Sequence, residues 1–516
     1  MADKQYRDWQ PEQSLLFPPS PRDWLPEEHL VWFILDLSET LDLSLIEAAI
    51  QAKDSRGNRP YPPRMMVALL LYGYCIGIRS SRAIHRATWT DVAFRAIAAG
   101  FHPHFTSIAE FRQTHREALA GLFHQSLQLA RKAGLVSLGH VAIDGTKIQG
   151  NASKHKAMSY ERMRQTEERL KQQVDELLKR AEAEDQQEDR TYGKGKDKED
   201  LPPEVKRRQD RLAVIRRARQ ELEEEAKETR AQELRELAAR NREKAQAEEN
   251  EKKKAQDVKR AENQEAKAKT LAPEGGAPFL TPEGLPMNRT AATPEGEPTA
   301  KAQRNFTDAD SRIMERGGSF LQGYNCQAAV DDAHQIIVAC AATNQSPDNG
   351  NLVPMVALTK KNCEGQVTES VTADSGYWHV AAEEQCRELG SDVYIALRRE
   401  KHGVVPTTET PPLVEQTPGI GPSPEDTPGS TSEKAPPSTR VQMKNKLESE
   451  AGTKIYRKRK STVEPVFGQI KEARGLRRFQ CRGLNLVNLE WSFECACHNL
   501  MKLFRQVWIP QILKVA

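Results

Sequence analysis

The sequence predicts an α/β protein: a mixed-sheet core with helices, preceded by an all-helical N-terminal region and interrupted by a charged helical insertion. Three observations carry that prediction. Short β-looking runs ("HVAIDGTKIQ", "FLQGYNCQAAVDDAHQIIVACAATN", "VTESVTADSGYW", "DVYIALRR") alternate with helix-length segments in the part of the chain after residue 136. Residues 25–135 lack such runs and instead show apolar residues at helical intervals. Residues 160–262 are dominated by Glu, Lys, Arg, Gln and Ala, a composition that favours exposed helix over a packed core.

Bulk properties narrow the function classes. The chain has 516 residues, room for two or three domains. Its mean hydropathy of −0.70 is too polar for one compact body, so long solvated segments are expected. Lys plus Arg number 76 against 73 for Asp plus Glu, so net charge alone does not announce a polyanionic partner; the basic C-terminal part does. Eight cysteines occur without a C-x-x-C pair or zinc spacing, which points to a reducing compartment and away from a structural zinc. Cys495 and Cys497 read as buried thiols. The longest apolar run, "MMVALLLYGYCIGI", is too short to span a bilayer, and the N-terminus lacks a signal-peptide pattern. The expectation is a soluble cytoplasmic protein with no membrane partner.

In chain order, residues 1–24 read as a tail. Within 25–135, "PYPPRMMVALLLYGYCIG" opens with helix-starting prolines, "SSRAIHRATWTDVAFRAIAAG" splits into two helices at Thr88–Asp91, and Ser107 and Glu110 stand at capping-box spacing. Interleaved Arg and His suit either a DNA-binding helical module or a plain bundle. Residues 136–159 carry the first strand of the core. In the insertion, 160–262, Met163, Leu170, Val174 and Leu177 form a heptad seam, and 191–204 should break two helices. Residues 263–304, with recurring "TPEG", read as a disordered linker, as do the Pro-rich 403–440. Residues 305–402 and 441–516 complete the core, giving about five strands in a mixed order that resembles a ribonuclease H-like fold.

Three acids stand out by placement. Asp144 ends the apolar half of "HVAIDGTKIQG", where Asp-Gly would otherwise signal a hairpin. Asp374 ends a β-branched run in "VTADSGYW", where it could simply cap the next helix. Glu464, in "RKRKSTVEPVFGQIKEARGLRRF", lies three residues after Ser461, but Pro465 fits poorly with a capping box there. Glu464 and Lys471 are seven apart and share a helical face. In α/β sheets, sites gather beyond strand ends. Phosphodiester hydrolysis and strand transfer need a clamp on the attacking and leaving oxygens, and two Mg²⁺ ions held by carboxylates supply one.

These pieces together resemble bacterial insertion-sequence transposases with an Asp-Asp-Glu (DDE) ribonuclease H-like domain. "VAIDGTKI", "TADSGYW" and "STVEPVFGQIK" carry the resemblance, with "NFTDADSRIM", "GYNCQAAVDDAHQIIVA" and the N-terminal "PYPPRMMVALLLYGYCIGIRSSRAI" as supporting blocks. The resemblance implies that Asp144, Asp374 and Glu464 bind the catalytic Mg²⁺ ions, with Mn²⁺ a substitute. Related families carry a Tyr, Arg, Glu, Lys signature. Here Tyr456, Arg459, Glu464 and Lys471 follow it, except that four residues separate Arg459 from Glu464 where three are usual, and Lys460 sits at the three-residue spacing. Arg457 and Lys458 complete a basic cluster for DNA.

Asp308, Asp310 and Asp348 are secondary candidates; His140 reads as structural, and Trp378 as packing with base stacking a minor alternative. The implied activity is cleavage of double-stranded DNA at the element's ends and joining to target DNA, by a homo-oligomer. Two rivals remain: a metal-dependent nuclease without strand transfer, and a non-catalytic DNA-binding scaffold.

Overall fold

The computed structural model describes residues 20–52, 59–192, 203–273, 279–397 and 439–515. The expected tail before residue 20, the break between insertion helices at 193–202 and nearly all of the Pro-rich stretch lie outside the described residues.

The N-terminal region is helical: α1 (Pro21–Trp24), α2 (Leu30–Thr40), α3 (Ser44–Gln51), α4 (Pro63–Cys75), α5 (Ser81–Thr90), α6 (Val92–Ala98), α7 (Phe105–Thr114) and α8 (Arg116–Lys132). Pro63 starts α4, and every residue from Met65 to Cys75 is buried, as an all-round apolar helix requires. Asp91 separates α5 from α6 and accepts the N–H of Ala93 (2.8 Å) and Phe94 (3.1 Å). The capping box expected at Ser107 does not form. His104 is the N-cap of α7, which places Ser107 inside the first turn.

The rest of the chain follows as β1 (His140–Gln149), β2 (Ala157–Ser159), α9 (Tyr160–Tyr192), α10 (Pro203–Ala247), α11 (Glu251–Leu271), β3 (Gln303–Asn305), β4 (Arg312–Arg316), β5 (Ser319–Asp331), β6 (Ile337–Thr343), α12 (Leu352–Asn362), β7 (Ser370–Ala373), α13 (Val380–Glu388), β8 (Asp392–Ile395), α14 (Thr439–Glu448), α15 (Glu450–Gly468), α16 (Leu484–Leu503) and α17 (Ile509–Val515). The main sheet runs β6–β5–β1–β7–β8, with β4 beside the first half of β5. β6, β5 and β1 are antiparallel, while β7 and β8 run parallel to β1. This is the mixed order expected of a ribonuclease H-like core, with six strands among the described residues in place of about five and a separate β2–β3 pair. Asp144–Gly145 is no hairpin: β1 continues straight through it, paired to Ala328 and Gln327.

One apolar core runs from α2 and α4 through the sheet to α16. The N-terminal helices therefore share the interior of the sheet layer. Arg79, just before α5, is buried against Glu494 of α16, and also donates to Arg474 O (2.7 Å).

Two further expectations change. The segment expected to be a linker, 263–304, begins as helix through Leu271 and continues as two alike turns. In each, a Gly N–H returns to a Thr carbonyl: Gly284 to Thr281 (2.8 Å) and Gly296 to Thr293 (3.0 Å). Leu285 is fully buried, and Asn288 N donates to Asn344 Oδ1 (2.8 Å), so docking onto the core orders what composition alone could not. Among the described residues the insertion forms three helices where two were expected, because Asn250 caps a new start with bonds to Lys252 N and Lys253 N. Its heptad seam is real: Met163, Leu170 and Val174 are buried, and Leu177 half-buried.

Helix α15 starts at Ser449, well before Ser461, so Glu464 is no capping-box residue. Pro465 lies inside the helix and cannot donate to Ser461 O. Gln335, reaching from the β5–β6 turn, donates its side-chain amide to that carbonyl at 2.9 Å. The helix then ends in a π-helical turn, Gln469–Ala473.

Candidate active site

Asp144 sits mid-strand at the centre of the sheet. Alternation puts Asp144 and Thr146 on one face of β1 and Gly145 and Lys147 on the other. The parallel register pairs Ala142 with Thr372. Followed past the end of β7, the two strands lead Asp144 and Asp374 to one place, close enough that the Asp374 charge raises the Asp144 carboxyl. Asp374 follows the last residue of β7 and accepts the N–H of Gly376 (2.8 Å), capping a single 3-10 turn; helix α13 is capped by His379 instead.

Asp348 joins them from the loop between β6 and α12. Its carboxylate accepts from Asn325 Nδ2 (2.7 Å) and Gln327 Nε2 (2.8 Å) and pairs with Lys147 Nζ (3.3 Å). Gly145 makes room for this arrangement: a Cβ there would come within 2.6 Å of Asp348 Oδ1 and collide with the Gln327 amide. Buried Tyr377, three residues after Asp374, donates to Gln327 Oε1, and Trp491 Nε1 donates to Gln327 O (3.0 Å). The middle of β5 and the segments that follow β6 and β7 are thereby tied into one polar cluster.

Helix α15 covers this cluster. Arg459 is buried and its guanidinium bridges two acids, with Nη1 3.2 Å from Asp144 Oδ2 and Nη2 3.9 Å from Glu464 Oε1. Tyr456 lies alongside, its ring centre 6.0 Å from the Arg459 guanidinium carbon. Glu464 is half-exposed at the rim. Lys471, on the π-helical turn, donates to Thr146 Oγ1 (3.0 Å), two residues along β1 from Asp144.

Electrostatics mark Asp144 as the focus. Burial pushes its carboxyl up to about 7; Arg459 and the Gly145 N–H pull it down, while the charges of Asp374 and Asp348 push it further up. Arg459 is held above its ordinary value: burial opposes its charge, but Asp144, Tyr456, Asp374 and Glu464 outweigh burial. Burial lowers Lys471, helped by Arg316 and Arg477.

The structure thus brings Asp144, Asp374 and Asp348 together, with Glu464 linked through Arg459. Among the described residues, no group of three or more His, Cys, Asp or Glu side chains is gathered as a ready metal site. The donor chemistry nonetheless suits a hard divalent cation, since the cluster offers carboxylate oxygens only and carries mutually repelling charges that a cation would relieve.

Other candidates resolve individually. Lys458 pairs with Asp332 (2.7 Å), while Arg457 and Lys460 are exposed on α15. His140 is buried against Thr372 Oγ1 (3.0 Å) and is structural. Trp378 packs against the core. Asp308 and Asp310 accept the N–H groups of Gly483 (3.0 Å) and Leu484 (2.8 Å), capping α16. Asn325, Gln327, Lys147 and Tyr377 escaped the sequence reading. The signal for two of them was present: Asn325 and Gln327 are polar at period two within the otherwise apolar "YNCQAAV".

Two family models match separate parts of the chain. A transposase domain (DUF772) covers residues 19–114, the helical layer, and a transposase DDE domain covers residues 430–504, the stretch holding α15, Glu464 and Lys471. Together the two matches indicate an insertion-sequence transposase of the DDE type. No curated protein and no solved structure matches it. The matched DDE stretch of the transposase includes Glu464 but neither Asp144 nor Asp374, so the two strand acids rest on geometry. Among the described residues, no helix of the transposase is long and apolar enough to cross a membrane. DNA is the substrate its family implies, and divalent metal the general requirement.

Proposed function

We propose that this transposase cuts DNA at the ends of its element and joins the freed 3′-hydroxyls to target DNA, with Asp144, Asp374 and Glu464 as the catalytic carboxylates. The observation that supports this reading is the placement of Asp144 on β1 and of Asp374 just past the end of the adjacent parallel strand β7, beneath the helix that bears Glu464. Two divalent ions, Mg²⁺ or Mn²⁺ in its place, supply the clamp on attacking and leaving oxygens when bound to these acids.

The chain's own residues do the rest. Asp348, fixed by two amides and Lys147, holds the open end of the cluster and completes its charge. Arg459 neutralises Asp144, and with a cation on that acid its guanidinium would be free for Glu464 or a DNA phosphate. Lys471, half-buried beside Thr146, meets a phosphate next to the scissile bond. Tyr456, Arg457 and Lys460 present one side of α15 to the DNA backbone, Lys458 adds its charge from beside Asp332, and the N-terminal helices bind the element ends.

The test is Mg²⁺-dependent cleavage of a duplex carrying the element's own terminus, by wild type and by Glu464→Gln. Cleavage by wild type and a loss of at least about 100-fold in the variant support the reading; equal cleavage removes Glu464 from the mechanism. A second arm offers pre-cut ends and a target plasmid. Joining supports transposition, whereas cutting without joining leaves only a nuclease.

A further inference from the structure

Cations follow β1 away from the acidic cluster. Beyond Thr146, where Lys471 sits, the segment after α15 lies alongside the end of β1. Phe479 N donates to Gln149 O (2.9 Å), Gln149 N donates to Arg477 O (3.3 Å), and Gln149 bridges Arg478 in parallel. This added strand-like piece brings three exposed arginines to the strand's end, and Asn151 organises two of them. Arg478 Nη2 donates to Asn151 Oδ1 (2.8 Å), and Arg482 Nε donates to Asn151 O (3.1 Å). Each contact uses only one of the five N–H donors of a guanidinium. The third, Arg477, pairs with Glu472.

Past Arg482 the surface turns into a cleft of about 300 Å³, lined by Arg112, Arg116, Asn151, Gln480 and Arg482. Arg112 is committed to the floor of the cleft, donating to Gln480 Oε1 (2.7 Å) and Arg79 O (3.0 Å). The nearest acid beneath, Glu490, is buried and spent on the N–H groups of Gln480 and Cys481. Among the described residues, Arg116, Arg478 and Arg482 form no ion pair with a carboxylate.

We infer that Arg478, Arg482 and Arg116 form a phosphate track that holds the DNA flanking the cut, on the side of the acidic cluster toward which β1 runs. The inference rests on the transposase reading and deepens it, since it assigns the path of the substrate. The length fits: Asp144 to Gln149 is five residues, about 17 Å of strand, and the same distance along duplex DNA spans about five base pairs. The chemistry fits as well. Guanidinium forks with spare donors match phosphate oxygens, and a line of cations without carboxylate partners sets up a positive potential that draws a polyanion. The track also explains why a helical layer and the C-terminal segment share one core: Arg116 of α8 and Arg482 are held in a single cleft.

The test measures binding of the full-length protein to a fluorescein-labelled duplex, by anisotropy, across a salt series without divalent metal. Compared are wild type, Arg478→Ala/Arg482→Ala, Arg116→Ala, the charge-preserving Arg478→Lys/Arg482→Lys, and Lys252→Ala/Lys253→Ala, which removes two charges from the insertion. The double alanine variant is expected to flatten the slope of log affinity against log salt by about 2, and Arg116→Ala by about 1. The lysine pair should keep most of the slope, which a merely structural role through Asn151 would not allow, and thermal melts of each variant report folding. An unchanged slope in the alanine variants, or an equal loss in the insertion variant, overturns the track while wild-type binding leaves the transposase reading intact. Absence of salt-dependent binding by wild type overturns both.

Discussion

Arg459 lies against Asp144, with Nη1 3.2 Å from Oδ2, and is carried on the same helix as Glu464. A buried guanidinium among three acids stands where a metal cation would bring the same charge. Arg459→Gln should therefore lose stability in metal-free buffer, by about 3 kcal/mol, the usual cost of leaving a buried partner unpaired. It should also gain more from Mg²⁺ than wild type does. Thermal melts with and without Mg²⁺ check this: the Mg²⁺-induced shift in Tm is expected to be larger in the variant. An equal shift would mean that Arg459 does not compete with cations.

Gly145 and Asp348 form a second testable pair. Gly145→Ala adds a methyl where Asp348 Oδ1 and the Gln327 amide sit, so the carboxylate must move while β1 keeps its backbone pairing. Displacements of this size at a reacting centre cost about 100-fold in rate. Cleavage of terminus DNA should fall by about that factor in both Gly145→Ala and Asp348→Asn, with melting temperatures within a few degrees of wild type. Full activity in Asp348→Asn would show that this acid is not part of the site.

The buried Arg79–Glu494 pair joins the helical layer to α16, and Glu494 also lies 3.8 Å from Arg474 Nη1. Glu494→Ala leaves two guanidinium groups buried without their acid. The expected loss is about 3–5 kcal/mol in urea unfolding. A loss below about 1 kcal/mol would mean that water reaches both arginines after the change.

Elements with a strong local signal were legible. The buried helix α4 announces itself by its leading prolines and apolar run, and the break between α5 and α6 by the polar residues up to Asp91. Asp374 does follow the last residue of a strand as its β-branched run suggests, whereas β1 continues through Asp144. What stayed hidden depends on partners distant in sequence. Leu285 and Asn288 order the "TPEG" segment only by docking on Asn344 and its neighbours, and no composition rule contains that contact. Pro465 fits poorly with a capping box at Ser461, and the helix in fact runs through it, with Gln335, 126 residues away, taking the orphaned Ser461 carbonyl. Asp348 outranks its sequence signal for the same reason: its place is set by Asn325, Gln327 and Lys147 on two other strands.

His498 gives the acid response a named source. It is buried in α16, with Nε2 2.9 Å from Gln335 O, and its pKa falls to about 3. Burial is the main cause, reinforced by the positive charges of Arg474, Lys502 and Arg505. The unfolded imidazole takes a proton near pH 6.5, whereas the folded one resists until about pH 3. Between those values the unfolded state binds more protons, so stability is fully present above pH 6.5 and is lost as pH falls through the window. The contribution lost between pH 7 and pH 4 is at most about 3 kcal/mol. His498→Gln cannot take up that proton. It should be less stable than wild type at pH 7, through imperfect packing, yet the gap should close as pH falls to 4. Urea unfolding of both proteins across that range checks the sign: a gap that stays constant with pH would place the acid sensitivity elsewhere in the protein.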